Sequence, residues 1–187
     1  MNNTVSQTWE KPFNPPDEIP STADVVIIGG GIVGVSTAWF LAKQGIKVVL
    51  CEKGHIAGEQ SGRNWGWVRK QKRDMRELPM MIESMNIWST LADEIGEDVG
   101  FHKTGCIYMA HNEKEMARYE SWMKTAEHFD LDTKILSAGE LKQHIVDPSS
   151  KWIGGILTPS DGRAEPHLAA PAIARAAEKS GAIILTS

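Results

Sequence analysis

A chain of 187 residues is long enough to bury a sizeable core, and it predicts one domain or one domain and part of another. Its 41% hydrophobic and 24% charged residues are typical of a soluble globular protein, and a net charge of −4 argues against a nucleic-acid-binding surface. There is no apolar run near the roughly 20 residues of a membrane span, no signal peptide and no disulfide framework, so we expect a cytoplasmic protein without a transmembrane segment.

Residues 1–22 form a polar segment that contains four prolines. Proline removes a backbone donor and biases the preceding residue toward extended geometry. We interpret the segment as an irregular arm before the first strand. Trp9 and Phe13 could hold this arm against the rest of the protein, and plain disorder is the alternative.

The next stretch has the order of a dinucleotide-binding unit. An apolar, β-branched run, Val25–Ile28, predicts a strand, and a glycine-rich turn follows it. An apolar-striped helix then ends at Gly45, and a second apolar run, Val48–Cys51, leads to the acid Glu52. This order predicts a nucleotide site in an α/β fold. The alternative is an α/β unit whose glycines only make a turn.

Three glycines in the turn have the G-x-G-x-x-G spacing, and each has a physical role. Gly29 allows the tight turn, Gly31 allows the backbone to approach a pyrophosphate, and Gly34 allows the helix to lie close to the strand. The helix N-terminus attracts phosphate. Glu52 lies roughly 20 residues after the second glycine, where a carboxylate meets the ribose hydroxyls and disfavours the 2′-phosphate of NADP.

A long loop over residues 53–69 follows the acid, where a nicotinamide-binding fold would usually continue into another helix. The loop combines glycines with hydroxyl, amide, guanidinium and indole groups, which can wrap a large flat cofactor. Arg63 could face a pyrophosphate or stack on an aromatic plane, and Trp65 and Trp67 could line a ring system. The alternative is a surface loop whose tryptophans fill the core.

Helices and strands alternate along the rest of the chain. Apolar residues at three- and four-residue steps predict helices, and β-branched and aromatic runs predict strands. Helices are predicted over 74–95 and 112–128, from Ser137, and from Pro166 to Lys179, and strands over 101–110, 152–158 and 182–185. Pro171 predicts a bend in the last helix or a later start. The basic run before residue 74 indicates a solvated face, with a rim that attracts an anionic substrate as the alternative.

The pattern GGGIVGVSTAWFLAKQGIKVVLCEKG followed by GEQSGRNWGWVR resembles the FAD-dependent oxidoreductases of the D-amino-acid oxidase, glycine oxidase and sarcosine oxidase family. The resemblance implies an α/β fold, namely a Rossmann-like FAD-binding domain with an inserted, partial α+β substrate domain. Residues 23–99 and 160–187 would belong to the FAD-binding domain, and residues 100–159 to the partial substrate domain.

The resemblance also assigns residues to the cofactor FAD. The turn would bind the pyrophosphate, the acid and its neighbour would bind the adenosine ribose, and the loop would contact the pyrophosphate, the ribityl chain and the flavin. The turn residues are Gly29, Gly31, Ile32, Val33 and Gly34, the acid and its neighbour are Glu52 and Lys53, and the loop residues are Ser61, Arg63, Asn64, Trp65, Gly66 and Trp67.

The implied reaction is oxidation of a C–N bond in an amino acid or a secondary or tertiary amine, by hydride transfer to flavin N5, giving an imine that hydrolyses. Such chemistry needs positioning more than a strong base, so no catalytic residue is named. Tyr108, Arg69 and His102 are conceivable substrate-side groups, although a packing or surface role is favoured for each. The six histidines and two cysteines lack metal-ligand spacing, so no metal site is expected.

Two alternatives from other classes stay open at this point: a non-catalytic dinucleotide-binding subunit or module, and an NAD-dependent dehydrogenase. Members of the family are considerably longer than this chain, so we expect it to be the N-terminal part of a longer protein. Its partners would be a small-molecule amine or amino acid, together with the rest of its own chain or a complementing polypeptide, and no nucleic acid.

Overall fold

The computed structural model describes residues 13–14, 17–146 and 151–187. They form two compact units. Unit 1 comprises the residues up to Gly66, Thr90–Phe101 and Ala164–Ser187, and unit 2 comprises Trp67–Ser89 and His102–Arg163. Trp9 and three of the four arm prolines lie outside the described residues. Within those ranges, no helix is both long enough and apolar enough to cross a membrane.

The described part contains both helices and strands along most of its length, so the predicted mixed α/β architecture is confirmed. In chain order the elements are β1 (Val25–Ile28), α1 (Ile32–Ala42), β2 (Val48–Cys51), β3 (Trp67–Val68), α2 (Leu78–Ile95), β4 (Cys106–Ala110), α3 (Glu113–His128), β5 (Lys134–Ser137), α4 (Ala138–His144), β6 (Gly154–Thr158), β7 (Gly162–Arg163), α5 (Pro166–Lys179) and β8 (Ile183–Leu185). A short 3₁₀ helix, Gln60–Gly62, lies between β2 and β3.

Unit 1 contains a parallel three-stranded sheet in the order β1-β2-β8. α1 joins β1 to β2, because parallel neighbours need a crossover connection. The middle strand, β2, is apolar, and Val48, Val49 and Leu50 are buried. α1 packs against α5, and the small side chains of α5 allow the two helices to approach closely. The buried alanines of α5 are Ala169, Ala170, Ala172, Ala174, Ala176 and Ala177.

Unit 2 contains an antiparallel three-stranded sheet in the order β4-β6-β5 and a two-stranded ribbon of β3 and β7. Side chains cap the first backbone N–H groups of α3 and α4 in this unit. The Asn112 side chain accepts the N–H of Glu115 at the start of α3, and Ser137 and Glu140 form a capping box at the start of α4. Buried side chains form two apolar clusters, one with Ala110, Tyr119 and Ile156 and one with Leu136, Leu141 and Leu157.

Several predicted boundaries differ from the structure by a few residues, most clearly at α2 and β4. α2 begins at Leu78 rather than at residue 74, because the Asp74 carboxylate accepts the backbone N–H of Arg76 in a turn before the helix. β4 begins at Cys106 rather than at residue 101, because Gly105 has a φ of +76° that breaks the extended run. α5 begins at Pro166 and continues through Pro171, so the later start proposed for this helix is wrong.

In unit 1, Glu97 forms ion pairs with a buried arginine, Arg175, and with Lys179. The Arg175 guanidinium, only 9% exposed, lies 2.7 Å from the Glu97 carboxylate, and Lys179 Nζ lies 3.0 Å from the other oxygen of that carboxylate. Burial raises the pKa of Glu97, but hydrogen bonds and charges from Arg175 and Lys179 outweigh burial and lower this pKa below its ordinary value. Ionised Glu97 therefore stabilises the folded chain.

Removing the charge of Glu97 should destabilise the protein, because the folded chain would lose the charge-assisted bonds of this carboxylate to Arg175 and Lys179. We expect Glu97→Gln to lower the free energy of unfolding at neutral pH by about 2 kcal/mol. Because the folded-state pKa is depressed, the stabilisation is complete above the unfolded-state pKa and is lost as the pH falls through the folded-state pKa. The difference between the variant and the parent should therefore shrink in acid.

Urea unfolding at neutral and acid pH measures this difference. Glu94→Gln is the matched control, since Glu94 forms a solvent-exposed ion pair with Lys43 and such pairs contribute at most about 1 kcal/mol. Equal losses in the two variants, or a Glu97→Gln loss that does not change with pH, would contradict the role assigned to the buried pair.

Candidate functional site

The turn between β1 and α1 brings a helix and a strand into direct backbone contact. Gly29 has a φ of +107°, and its N–H donates to the carbonyl oxygen of Cys51 over 2.8 Å. A Cβ added at Gly34 would lie 2.0 Å from the carbonyl oxygen of Gly29, well inside van der Waals contact. Only glycine at position 34 therefore allows α1 to start this close to β1.

The loop that follows β2 covers Gly30 and Gly31, the two glycines between Gly29 and Gly34. A Cβ at Gly30 would lie 2.5 Å from Ile56 Cδ1, and a Cβ at Gly31 would lie 3.0 Å from Ser61 Oγ. The Ala57 N–H donates to the Gly30 carbonyl oxygen over 3.0 Å. Gly30 lies at an x position of the G-x-G-x-x-G motif, so the motif alone does not predict a role for it. The sequence does show a run of three consecutive glycines at positions 29–31.

The N-terminus of α1 is open to an anion. Its N-cap, Gly31, has no side chain to bond the first turn, and that turn contains no acidic residue. Ser61 Oγ accepts the N–H of Ile32 over 2.9 Å. The other N–H groups of the first turn cannot be satisfied within the helix, and together with the helix dipole they favour a bound anion. α3 and α4 differ, because both have side-chain caps and acids in the first turn.

The Glu52 carboxylate connects the end of β2 to the glycine turn. Oε2 accepts the N–H of Gly30 over 2.7 Å, and Oε1 accepts the N–H of Gly54 over 2.8 Å. The bond from Gly30 contributes most to lowering the pKa of Glu52, and the bond from Gly54 adds to it against the opposing effect of burial. Glu52 is therefore ionised at neutral pH and held in one orientation.

Unit 1 has a cleft of about 410 Å³, which is lined by residues of the glycine turn, of the end of β2 and of the loop that follows β2. The cleft lies at the carboxyl ends of β1 and β2, where α/β sheets bind their ligands. Its lining includes five predicted site residues: Gly29, Gly31, Glu52, Lys53 and Ser61. The lining residues that sequence reasoning did not assign are Ile28, Cys51, Ala57, Gly58, Glu59 and Gln60. Among these, Ala57 has a φ of +60°, a conformation that residues with a side chain rarely adopt.

Predicted turn residues outside the cleft lining lie in α1. Ile32 donates its N–H to Ser61, as described above, and Gly34 makes the close approach to Gly29. The Val33 side chain is exposed to solvent.

The predicted loop residues after Ser61 do not line this first cleft. Arg63 lines a second cleft of about 410 Å³ with His55 and His167, and it pairs with Glu59. The Asn64 side chain donates to the Ser61 carbonyl oxygen over 2.8 Å and accepts the N–H of Gly66 over 2.7 Å. These bonds hold the loop in a defined turn.

The tryptophans of this loop belong to different units. Trp65 in unit 1 is 80% exposed, so its indole does not fill the core. Gly66 has a φ of +67°, and a Cβ there would lie 2.0 Å from the Ala164 carbonyl oxygen. Trp67 is the first residue of unit 2, where it pairs with Arg163 in the β3-β7 ribbon.

The conceivable substrate-side residues Arg69, Tyr108 and His102 all belong to unit 2. His102 forms a backbone bridge with Arg163. Arg69 and Tyr108 lie near each other, with the guanidinium carbon 5.6 Å from the centroid of the tyrosine ring. Burial raises the pKa of Tyr108, so its hydroxyl stays protonated at neutral pH.

Comparison with known proteins identifies relatives over almost the whole chain. The family described as FAD dependent oxidoreductase (DAO) matches residues 24–187. Mitochondrial dimethylglycine dehydrogenase of Mus musculus is 30% identical over 94% of this chain and 20% of its own length. Mitochondrial sarcosine dehydrogenase of Mus musculus is 27% identical over 93% of this chain and 19% of its own length.

The fold also matches a solved structure. L-Amino acid deaminase from Proteus myxofaciens, in complex with anthranilate, superposes with a TM-score of 0.87 and 33% sequence identity over 94% of this chain. The match covers 40% of the deaminase chain. The chain thus spans less than half the length of each of these relatives.

Gly34→Ala tests the close approach at the turn. The added methyl group would lie against the backbone oxygen of Gly29, which cannot move away as a side chain can, so we expect a loss of about 2–3 kcal/mol in the free energy of unfolding. Gly139→Ala on α4 is the control, because its nearest neighbour would lie 3.9 Å from the added Cβ. Thermal or urea unfolding gives both values, and an undiminished stability of Gly34→Ala would refute the tight contact.

Proposed function

The chain belongs to the DAO family of FAD-dependent oxidoreductases, and on that premise we propose that the whole protein oxidises a C–N bond of an amino acid or of a secondary or tertiary amine. The names of its relatives support this substrate class, since they refer to dimethylglycine, sarcosine and L-amino acids. The observation that carries the proposal is the cleft in which an uncapped helix N-terminus and an oriented carboxylate lie side by side.

The chemistry of the cleft fits FAD. The N–H groups of the first turn of α1 suit the negatively charged pyrophosphate, and Gly31 lines the cleft beside them without a side chain. Each Glu52 oxygen accepts one backbone N–H group, and a carboxylate oxygen has room for a second donor. Glu52 can therefore accept the ribose hydroxyls of the adenosine half, with Lys53 beside it.

We assign the remaining predicted residues to the rest of the cofactor. Ile32, Val33 and Gly34 form the first turn of α1 behind the pyrophosphate. Ser61, Arg63, Asn64, Trp65, Gly66 and Trp67 contact the pyrophosphate, ribityl chain and flavin. The exposed Trp65 indole supports this assignment, because a large apolar side chain in water gains free energy when a flat ring system covers it.

Bound FAD supplies an acceptor for the two electrons of the C–N oxidation. The residues of this chain bind the cofactor, orient it and exclude water, and these roles can account for much of the rate enhancement. No acid–base residue is assigned, because an amine in its neutral form needs positioning rather than a strong base.

We further propose that the chain contributes to two domains. Residues 23–99 and 160–187 belong to the FAD-binding domain, and residues 100–159 form part of a substrate domain inserted into it. Tyr108 and His102 lie in the proposed substrate domain, and substrate-side roles for these two residues and for Arg69 stay part of the proposal. The location of the protein in the cytoplasm also stays a prediction.

The partner proposed for this chain is the rest of a longer chain or a complementing polypeptide. Two side chains of β1 support it, because Ile28 is 91% exposed and Val26 is 62% exposed on a strand of the nucleotide sheet. β1 also pairs with β2 alone among the described strands, which leaves its other edge available for pairing. A further strand beside β1 would satisfy that edge, and an element packed on the exposed face of the sheet would cover the apolar side chains.

Gly31→Val tests where the pyrophosphate binds. The nearest atom to a Cβ at this position is the Ser61 hydroxyl oxygen, a side-chain atom that can move, so the fold should survive while the branched side chain blocks the phosphate. We expect FAD affinity to fall at least tenfold, about 1.4 kcal/mol, in equilibrium dialysis. Gly139→Val, on α4 of unit 2, should bind FAD like the parent. An unchanged FAD affinity of Gly31→Val would show that the pyrophosphate does not bind at Gly31.

Anaerobic reduction of the bound flavin tests the activity. The protein loaded with FAD, together with its complementing polypeptide where one is required, should lose its yellow colour when N,N-dimethylglycine or an L-amino acid is added without oxygen. The loss should follow saturation kinetics. A flavin that stays oxidised with every amine and amino acid offered would point to a non-catalytic nucleotide-binding module instead.

A further inference from the structure

Acidic side chains outnumber basic ones in the cleft that is lined by the glycine turn and Glu52, which we call the nucleotide cleft. Its lining includes two acids, Glu52 and Glu59, and one cation, Lys53. A pyrophosphate brings further negative charge into this cleft, so a carboxylate that faces it lowers the affinity. Glu52 has a binding role in the proposed function, because it accepts the ribose hydroxyls. Glu59 has no such role, and its position in a nucleotide cleft requires a separate explanation.

The two acids differ in their partners. Each oxygen of Glu52 accepts a backbone N–H group. Glu59 instead reaches two cations, since its Oε1 lies 3.9 Å from Lys53 Nζ and its Oε2 pairs with the Arg63 guanidinium. One carboxylate thus bridges two positively charged residues that we have assigned to the cofactor.

The backbone on either side of Glu59 is held against the glycine turn. Two residues before it, Ala57 donates its N–H to the Gly30 carbonyl oxygen over 3.0 Å. Two residues after it, Ser61 Oγ accepts the N–H of Ile32 over 2.9 Å. Glu59 is also the N-cap of the short 3₁₀ helix, but its side chain does not cap that helix. The loop therefore fixes where Glu59 lies, and the side chain is directed to the two cations.

The ion pairs of Glu59 are exposed to solvent. The side chains of Lys53, Glu59 and Arg63 are 83%, 66% and 65% exposed. Exposed pairs contribute little to stability, because water solvates each partner and the pairing restricts long side chains. A phosphate is a strong partner for the same cations, since it offers several charged acceptor oxygens. Phosphates can therefore replace the Glu59 carboxylate without loss of the fold.

The position of Arg63 shows why this exchange is needed. Arg63 lines the second cleft with His55 and His167, although the proposed function assigns it to the cofactor. Its partner Glu59 lines the nucleotide cleft. A guanidinium matches a phosphate in shape and charge. To make that contact in the nucleotide cleft, Arg63 has to exchange the Glu59 carboxylate for phosphate oxygens.

We propose that the Glu59 carboxylate competes with the phosphates of the cofactor for Lys53 and Arg63. Glu59 thereby sets the affinity of the nucleotide cleft for FAD below the value that the two cations alone would give. This inference rests on the proposed placement of the pyrophosphate, and it adds an acid that limits nucleotide affinity. The competition concerns the phosphates alone, because an uncharged nucleoside has no group that replaces a carboxylate.

Binding of ADP and adenosine to the 187-residue chain tests the competition. ADP contains the pyrophosphate and adenosine lacks it, so the two ligands separate phosphate contacts from contacts to the nucleoside. In isothermal titration calorimetry, Glu59→Gln should bind ADP about fivefold more tightly than the parent, the change that one unit charge at contact distance produces in water. Its affinity for adenosine should equal that of the parent. Added salt should reduce the gain for ADP, because the competing pairs are exposed.

Glu94→Gln is the matched control, because Glu94 is an exposed acid of the same unit that pairs with Lys43. This variant should bind both ligands like the parent, and circular dichroism checks the fold of each variant. An ADP affinity of Glu59→Gln that equals or falls below that of the parent would overturn the proposal. An equal gain in Glu94→Gln, an equal gain for adenosine, or no ADP binding by any folded chain would also overturn it.

A background without the two cations separates competition from repulsion through space. In a chain that carries Lys53→Met and Arg63→Met, Glu59 has neither cation to occupy. The gain in ADP affinity from Glu59→Gln should therefore shrink to about twofold or less in this background, since the effects of residues in direct contact are not additive. An undiminished gain would show that Glu59 only repels the phosphates, and the proposed competition for the cations would be wrong.

The result can be distinguished from a failure of the proposed activity, because ADP binding requires neither an amine nor a flavin. If Glu59→Gln binds ADP more tightly but no amine reduces the flavin, the proposed C–N oxidation fails and the competition stands. If an amine reduces the flavin while Glu59→Gln and the parent bind ADP equally, the activity stands and the competition is wrong.

Discussion

The contact between the start of α1 and the end of β1 is the constraint on which the nucleotide cleft depends. Because a Cβ at Gly34 would meet the Gly29 carbonyl oxygen at 2.0 Å, the helix can begin at this place only with glycine there. The same turn brings the N–H of Gly30 to the Glu52 carboxylate. One short segment therefore aims the positive end of a helix and fixes a negative charge beside it, and these two features suit a pyrophosphate and a ribose.

Much of unit 1 could be predicted from the sequence because its signals are local. The glycine spacing, two apolar runs and an acid at the end of the second run predict β1, α1, β2 and the position of Glu52. The role of Gly30 could not be predicted, because it depends on Ile56 in a loop that folds back over the turn. The left-handed backbone of Ala57 was not predictable either, since nothing in its neighbours requires a positive φ.

Unit 2 was harder to predict, because its short strands are defined by tertiary pairing. β3 and β7 have two residues each, which is too short for an alternating pattern. The capping residues Asn112 and Ser137 act locally, so the starts of α3 and α4 were close to the predicted positions.

The central claim is that unit 1 binds the adenosine diphosphate half of FAD, and competition against bound FAD tests it most directly. We predict that ADP displaces FAD competitively, that FMN, which lacks the adenosine half, displaces it poorly, and that a 2′-phosphate on ADP weakens the competition because Glu52 is ionised. Displacement of FAD by FMN but not by ADP would contradict the account, because the glycine turn and Glu52 would then not be the groups that hold the cofactor.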